Sequence, residues 1–255
     1  TCITYSIDNP VILESPNGPS ITDMTSTDPS NCGTSDGTIT ISATSGIGSY
    51  EYSIDNGATW TDTSNIFTAL SGGSYQIKVR NDNGTCEVVG ATIVLTDKVA
   101  PTITNVASTN PTDCSVTDGI ITITASGSGA LQYSIDGGTT WQATDVFVAL
   151  SAGTYEISVR NIDGSCIVSE ADVILTAPQL PAITNVTSTN PSNCGVPDGT
   201  ITVTATGTNL EYSSDGGVNW FANNGSFTGL ADGTYNIVVR NNNETCEVPY
   251  ATNPV

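Results

Sequence analysis

Residues 21–43 read ITDMTSTDPSNCGTSDGTITISA, residues 103–125 read ITNVASTNPTDCSVTDGIITITA, and residues 183–205 read ITNVTSTNPSNCGVPDGTITVTA. One segment is written three times, and self-similarity at a fixed period is the mark of a tandem-repeat architecture. Within the segment the side chains alternate. Ile39, Ile41 and Ala43 fall on one face and Thr38, Thr40 and Ser42 on the other, with Ile121, Ile123 and Ala125 repeating the pattern. A period of two with one apolar face predicts a strand lying on a core.

The second half of the repeat recurs as well. YSIDNGATW, YSIDGGTTW and YSSDGGVNW begin at Tyr52, Tyr133 and Tyr212. They are followed by LSGGSYQIKVRNDNGTC, LSAGTYEISVRNIDGSC and LADGTYNIVVRNNNETC. Tyr155, Ile157 and Val159 alternate with Glu156, Ser158 and Arg160, and no segment sustains a 3.6-residue pattern, so almost no helix is expected. Short strands separated by Gly, Asn, Asp and Pro turns indicate a β-sandwich.

The L-x-x-G-x-Y stretch around Tyr75, Tyr155 and Tyr235 resembles the tyrosine corner of immunoglobulin-like and fibronectin III-like sandwiches. The expected fold is therefore all-β, with three tandem Ig-like modules at residues 19–97, 101–177 and 181–255, arranged as a rod. Residues 1–14 read as the last strand of a preceding, truncated module, because TCITYSIDNPV and TCEVPYATNPV share their ends in register. The joints ESPNGPS, TDKVAPT and TAPQLPA contain Pro and read as short, semi-rigid spacers.

Modules near 80 residues are small for a purely hydrophobic core, and cysteine is the expected supplement. With one cysteine in each half-module, the repeat pairs Cys32 with Cys86, Cys114 with Cys166, and Cys194 with Cys246. Cys2 occupies the place of Cys86, so its partner belongs to the truncated module. Each such bond constrains the unfolded chain by about 4 kcal/mol in the chain-entropy model. Disulfides imply an oxidising, extracellular compartment.

Of the 255 residues, 25 are acidic and only five basic, and there is no His. Nucleic acid, which needs clustered Lys and Arg, is a poor partner for such a chain. Without His, the Ser/His/Asp and Cys/His nucleophilic constellations are excluded. No apolar run is long enough for a membrane helix, and no direct membrane insertion is expected. The recurring acids sit in turns beside Gly rather than as paired carboxylates, and the chain is read as non-enzymatic. Among those turn acids, Asp36, Asp118 and Asp198 are the candidates for calcium, the one cofactor considered, against the plainer reading of solvated turns.

The nonapeptides resemble the Asp box of sialidases and related proteins, and YSSDGGVNW departs from it at Asn219. Read physically, this is a hairpin: Asp55, Asp136 and Asp215 can accept from turn N–H groups while Trp60, Trp141 and Trp220 fold over the ribbon. Arg80, Arg160 and Arg240, at the end of the Tyr strand, are expected to form ion pairs with a neighbouring strand.

The whole module, C-G-x-x-D-G-x-I-x-[IV] through Y-S-x-D-G-G-x-x-W to G-x-Y-x-I-x-V-R-[ND], resembles the SprB-type repeats of giant surface adhesins from gliding Bacteroidota. The last module departs from the pattern at Asn243 and Glu244. The resemblance implies a cell-surface filament exported by type IX secretion that contacts the substratum or other cells; the partners expected are neighbouring modules of the same chain and extracellular glycans or the substratum. Two alternatives stay open. One is a self-assembling fibre that exchanges the strand at residues 1–14, and the other is a set of carbohydrate-binding accessory modules.

Overall fold

A computed structural model describes residues 17–44 and 48–255. The expected strand at residues 1–14 lies outside the described residues. No helix occurs among the described residues, and every named element is a β-strand.

Repeat 1 contains β1 (Ser20–Thr27), β2 (Gly37–Thr44), β3 (Tyr50–Ser53), β4 (Ile66–Leu70), β5 (Gly73–Asn81) and β6 (Val88–Leu95). They form two three-stranded sheets, β1-β2-β4 and β3-β5-β6, in which every pairing is antiparallel. The alternation read from GTITISA places Ile39 and Ile41 inside, where they meet Ile77 and Val79 of β5 and Leu95 of β6 in one core. All but Leu95 are fully excluded from solvent. Facing apolar stripes from two sheets, each too narrow to fold alone, make this a sandwich.

Repeat 2 runs through β7 (Thr102–Thr109), β8 (Gly119–Ser126), β9 (Leu131–Ser134), β10 (Val146–Leu150), β11 (Gly153–Tyr155), β12 (Ser158–Asn161), β13 (Val168–Ser169) and β14 (Val173–Leu175). Its core is Ile121, Ile123, Leu131, Ile157, Val159 and Leu175. Repeat 3 runs through β15 (Ala182–Thr189), β16 (Gly199–Thr206), β17 (Leu210–Ser213), β18 (Ser226–Leu230), β19 (Val238–Asn241) and β20 (Val248–Pro249). Its core centres on Ile201, Val203, Tyr212, Phe227, Ile237 and Val239. The first strand of every repeat carries a bulge at the same place, between Ile21 and Asp23, Ile103 and Asn105, and Ile183 and Asn185. A recurring bulge is a built feature rather than a defect.

The x-D-G glycines have a packing explanation. Gly37, Gly119 and Gly199 open β2, β8 and β16. A Cβ there would lie 2.8, 2.8 and 2.9 Å from the carbonyl oxygens of Leu70, Leu150 and Leu230 on the facing strand. Only glycine lets the two backbones approach so closely.

By compactness the chain divides into two units. The first holds the described residues up to Pro101 together with Gly127–Gly129 and Arg160–Ile167; the second holds Thr102–Ser126, Ala130–Val159 and Val168–Val255. Inside the first, the strand directions of repeat 1 separate its two cysteine loops. The loop carrying Cys32 joins β1 to β2 at the end where Gly37 pairs with Leu70 and Gly73 with Leu95. The loop carrying Cys86 joins β5 to β6 at the other end, where Tyr50 pairs with Asn81. Eight-residue strands separate the two ends by roughly 25 Å at ~3.3 Å per residue.

Candidate functional site: the joint between repeats

Each repeat opens with a loop of the same build. Asn31, Asp113 and Asn193 precede the opening cysteine and turn their Oδ1 back to accept its own N–H, at 2.8, 2.6 and 2.8 Å. The residue after the cysteine then takes left-handed backbone angles, with φ of 67° at Gly33, 60° at Ser115 and 77° at Gly195. Asp36, Asp118 and Asp198 brace this loop by accepting from the N–H of Ser30, Thr112 and Ser192 at 2.8, 2.9 and 2.7 Å. Side-chain bonds from the same Ser30, Thr112 and Ser192 are the chief cause holding the three carboxyls below the ordinary aspartate range. These are the positions read as calcium candidates. Among the described residues, the one grouping of three or more ligand-type side chains is Asp113, Cys114 and Cys246, where the sulfurs are bonded to each other.

The closing loop is a second constant unit. Asn81, Asn161 and Asn241 donate their N–H to the carbonyls of Thr85, Ser165 and Thr245, all at 3.0 Å. The closing cysteines Cys86, Cys166 and Cys246 sit at φ of 56°, 59° and 60°. A cysteine held in the left-handed region three times over points to a constraint on where its side chain aims. The amides of the same asparagines reach into the joint, donating to the carbonyls of Asn17, Val99 and Gln179 at 3.1, 3.1 and 3.0 Å. In the first unit Lys98 pairs with Asp163 at 2.8 Å. The bond from Lys98 is the largest cause holding the Asp163 carboxyl well below its ordinary value.

The disulfides join these two kinds of loop across repeats. Cys32 is bonded to Cys166 and Cys114 to Cys246, with Cα–Cα distances of 5.2 and 5.1 Å. This corrects the within-repeat pairing expected for Cys32 with Cys86, Cys114 with Cys166, and Cys194 with Cys246, and with it the expectation of one disulfide inside each module. The reason is topological. The opening and closing loops of repeat 1 occupy opposite ends of the sandwich, far beyond the ~7 Å Cα separation that a disulfide can span. A chain that leaves one repeat at its opening-loop end and enters the next at its closing-loop end brings unlike loops of successive copies together. The Cys194 thiol is exposed and carries no disulfide.

A hydrogen bond accompanies each staple. Asn31 Oδ1, already bonded to the Cys32 N–H, also accepts from the Cys166 N–H at 2.6 Å, and Asp113 Oδ1 accepts from the Cys246 N–H at 2.6 Å. One oxygen thus aligns both partner cysteines. Sequence reasoning passed over Asn31, Asp113 and Asn193; their signal was an Asn or Asp immediately before the opening cysteine in every copy.

The nonapeptides form hairpins on the opposite sheet. Asp55, Asp136 and Asp215 accept from the N–H of Thr59, Thr140 and Asn219, each at 2.9 Å. At the departing position the Asn219 amide replaces the threonine hydroxyl and donates to Asp215 Oδ2 at 2.7 Å. Bonds from Thr140 to Asp136, and from Asn219 to Asp215, lower these carboxyls to about 2. Desolvation opposes the shift at Asp55, but bonds led by the Thr59 hydroxyl bring it to about 2 as well. Trp60 and Trp141 donate their indole N–H to Gly57 and Gly138. Arg80 and Arg240 lie 4.1 Å from the ring centres of Trp60 and Trp220 and pair with Glu51 and Glu211. A guanidinium therefore covers one face of each of these two indoles. Tyr75, Tyr155 and Tyr235 donate their hydroxyls to the carbonyls of Ser71, Ser151 and Ala231 at 2.8, 2.8 and 3.0 Å.

Residues 24–59 match the SprB repeat family, and residues 132–143 match the BNR/Asp-box repeat. No curated protein matches the chain. Among solved structures, immunoglobulin domains 1–4 of Sidekick-1 are similar over 91% of this chain and 72% of theirs, at 13% identity and a TM-score of 0.30. Domains 4–9 of the surface layer protein SbsC are similar over 90% of this chain and 47% of theirs, at 12% identity and a TM-score of 0.24. The matched segment 24–59 carries the first opening loop and the first Asp-box hairpin, and both recur in repeats 2 and 3. The chain is built of tandem β-sandwich repeats, one segment of which is similar to the SprB repeat.

Proposed function

We propose that this chain of SprB-type repeats is the stalk of a long secreted cell-surface adhesin, a non-enzymatic region that holds a contact-making part away from the cell during attachment or gliding. The observation that carries the reading is the pair of disulfides linking successive repeats. A binding module or an enzyme needs each domain intact, whereas a tension-bearing array needs its domains tied to one another. Bonds of this kind persist in oxidising surroundings, which agrees with display outside the cell. The acidic surface, with 25 Asp and Glu against five Lys and Arg, favours solubility and disfavours anionic partners. Export by type IX secretion and contact with glycans or the substratum belong to the same proposal and rest on the SprB resemblance.

The test uses cells of the native source. An antibody against this chain is expected to label intact, unpermeabilised cells, and deleting the repeats is expected to reduce attachment to glass. Labelling that appears only after permeabilisation, or attachment unchanged by the deletion, overturns the proposal.

A further inference from the structure

We infer that the opening loop of repeat 3, residues 191–195, is an acceptor for the closing loop of a further repeat of this type, captured as a disulfide to Cys194 with Asn193 as the aligning group. The inference stands on the geometry of the joints and is independent of the adhesin role.

Three observations carry it. The loop at Cys194 has the conformation of the two loops that hold a closing loop. Asn193 Oδ1 accepts the Cys194 N–H at 2.8 Å, and the Val196 N–H bonds to the Asn193 carbonyl at 3.1 Å, matching Thr34 to Asn31 and Val116 to Asp113. Gly195 takes the left-handed angles seen at Gly33 and Ser115. The acceptor geometry is thus set by the repeat's own residues, and a preorganised site binds without paying to order itself. Second, the equivalent atoms do this work elsewhere in the same molecule, where Asn31 and Asp113 each receive the N–H of a closing cysteine whose sulfur bonds to the neighbouring opening cysteine. Third, Pro191, Asn193, Cys194 and Gly195 line, together with Leu230 and Tyr235, a groove of about 550 Å³. The exposed thiol stands at the edge of a receptive concavity.

The occupant is specified by the two closing loops already seated: Arg-Asn, four further residues, then a cysteine in left-handed conformation. Their turn is local, since Asn161 bonds to Ser165 and Gly164 to Asn161, so a short peptide can present it. In the exchange, the Cys194 thiolate attacks the peptide sulfur of a peptide–glutathione mixed disulfide. The new S–S bond joins Cys194 to the peptide, and glutathione leaves as its thiolate.

The test mixes the full chain with the peptide of residues 159–168, VRNIDGSCIV, supplied as its glutathione mixed disulfide, beside a scrambled peptide of the same composition. Adducts at Cys194 are quantified by peptide mapping. At least a tenfold preference for the native order is expected. That preference should be lost in Asn193→Ala and kept in Asn193→Asp, because Asp113 performs the same task in repeat 2. Equal labelling by the two peptides, or a preference untouched by Asn193→Ala, overturns the inference.

Discussion

Cutting the backbone in the first joint should leave the protein in one piece. The chain offers trypsin five sites, and four of them, Lys78, Arg80, Arg160 and Arg240, lie in the strands β5, β12 and β19. Lys98 lies between β6 and β7, followed by Val99, which is 59% exposed. Exposed backbone outside a ladder is the preferred place for proteolytic nicking. In the uncut chain, Cys32–Cys166 spans 134 residues and Cys114–Cys246 spans 132. In the chain-entropy model, loops of that size restrict the unfolded ensemble by about 5 kcal/mol each. After a nick at Lys98, the first of these bonds becomes the covalent tether between residues 1–98 and 99–255. Denaturing electrophoresis without reductant should therefore show one species of the intact mass, and addition of reductant should resolve it into two fragments. Fragments that separate without reductant would mean that Cys32 is paired on its own side of the nick, as in a within-repeat scheme, and would refute the stapled joint.

Two further outcomes follow from the packing and the hairpins. Gly119→Ala should destabilise the protein by about 1–3 kcal/mol, because the new methyl meets the Leu150 carbonyl at 2.8 Å. Gly129→Ala, where nothing lies within 4 Å, is the control, and equal urea midpoints for the two variants would contradict this reading. The Asp136 carboxyl titrates at about 2 in the folded chain against an ordinary 3.8. Its contribution to stability is thus complete above about pH 4 and disappears as pH falls through 2. Asp136→Asn should be less stable than the parent at pH 6, with the gap in urea midpoint narrowing as pH falls from about 4 toward 2; a gap that stays constant would show that the hairpin carboxylate is not linked to folding.

Much of this was legible in the residues themselves. The period-two stripe of Ile39, Ile41 and Ala43 assigned the face that β2 buries, and YSIDNGATW gave both the carboxylate that closes the hairpin and the indole that folds over it. The cysteine partners were not legible, because a tandem repeat gives the closing cysteines of adjacent copies nearly the same local sequence. The choice between Cys86 and Cys166 as partner of Cys32 turns on how many times the chain crosses the sandwich between them. The hairpin conceals that count, since Tyr52 pairs back with Thr61 and the chain returns before completing a crossing. The asparagine that aligns the staple was visible as a letter, but its second acceptor role exists only when another repeat's loop is in place. The x-D-G glycines looked like turn residues, whereas the facing carbonyl, remote in sequence, is what requires them.

The staples also redraw the route along which a pull would travel. From Cys32 the shortest covalent way onward crosses to Cys166, runs backwards along the chain to Cys114, and crosses again to Cys246. It passes through repeat 2 against the direction of synthesis and touches neither TDKVAPT nor TAPQLPA. If every strand were stripped out, the reach per repeat would be set by the 52 residues from Cys114 to Cys166, about 180 Å at ~3.5 Å each. The spacer would stay slack throughout. Its length and composition therefore do not set that reach, which belongs to the staples and the stretch of repeat 2 between them.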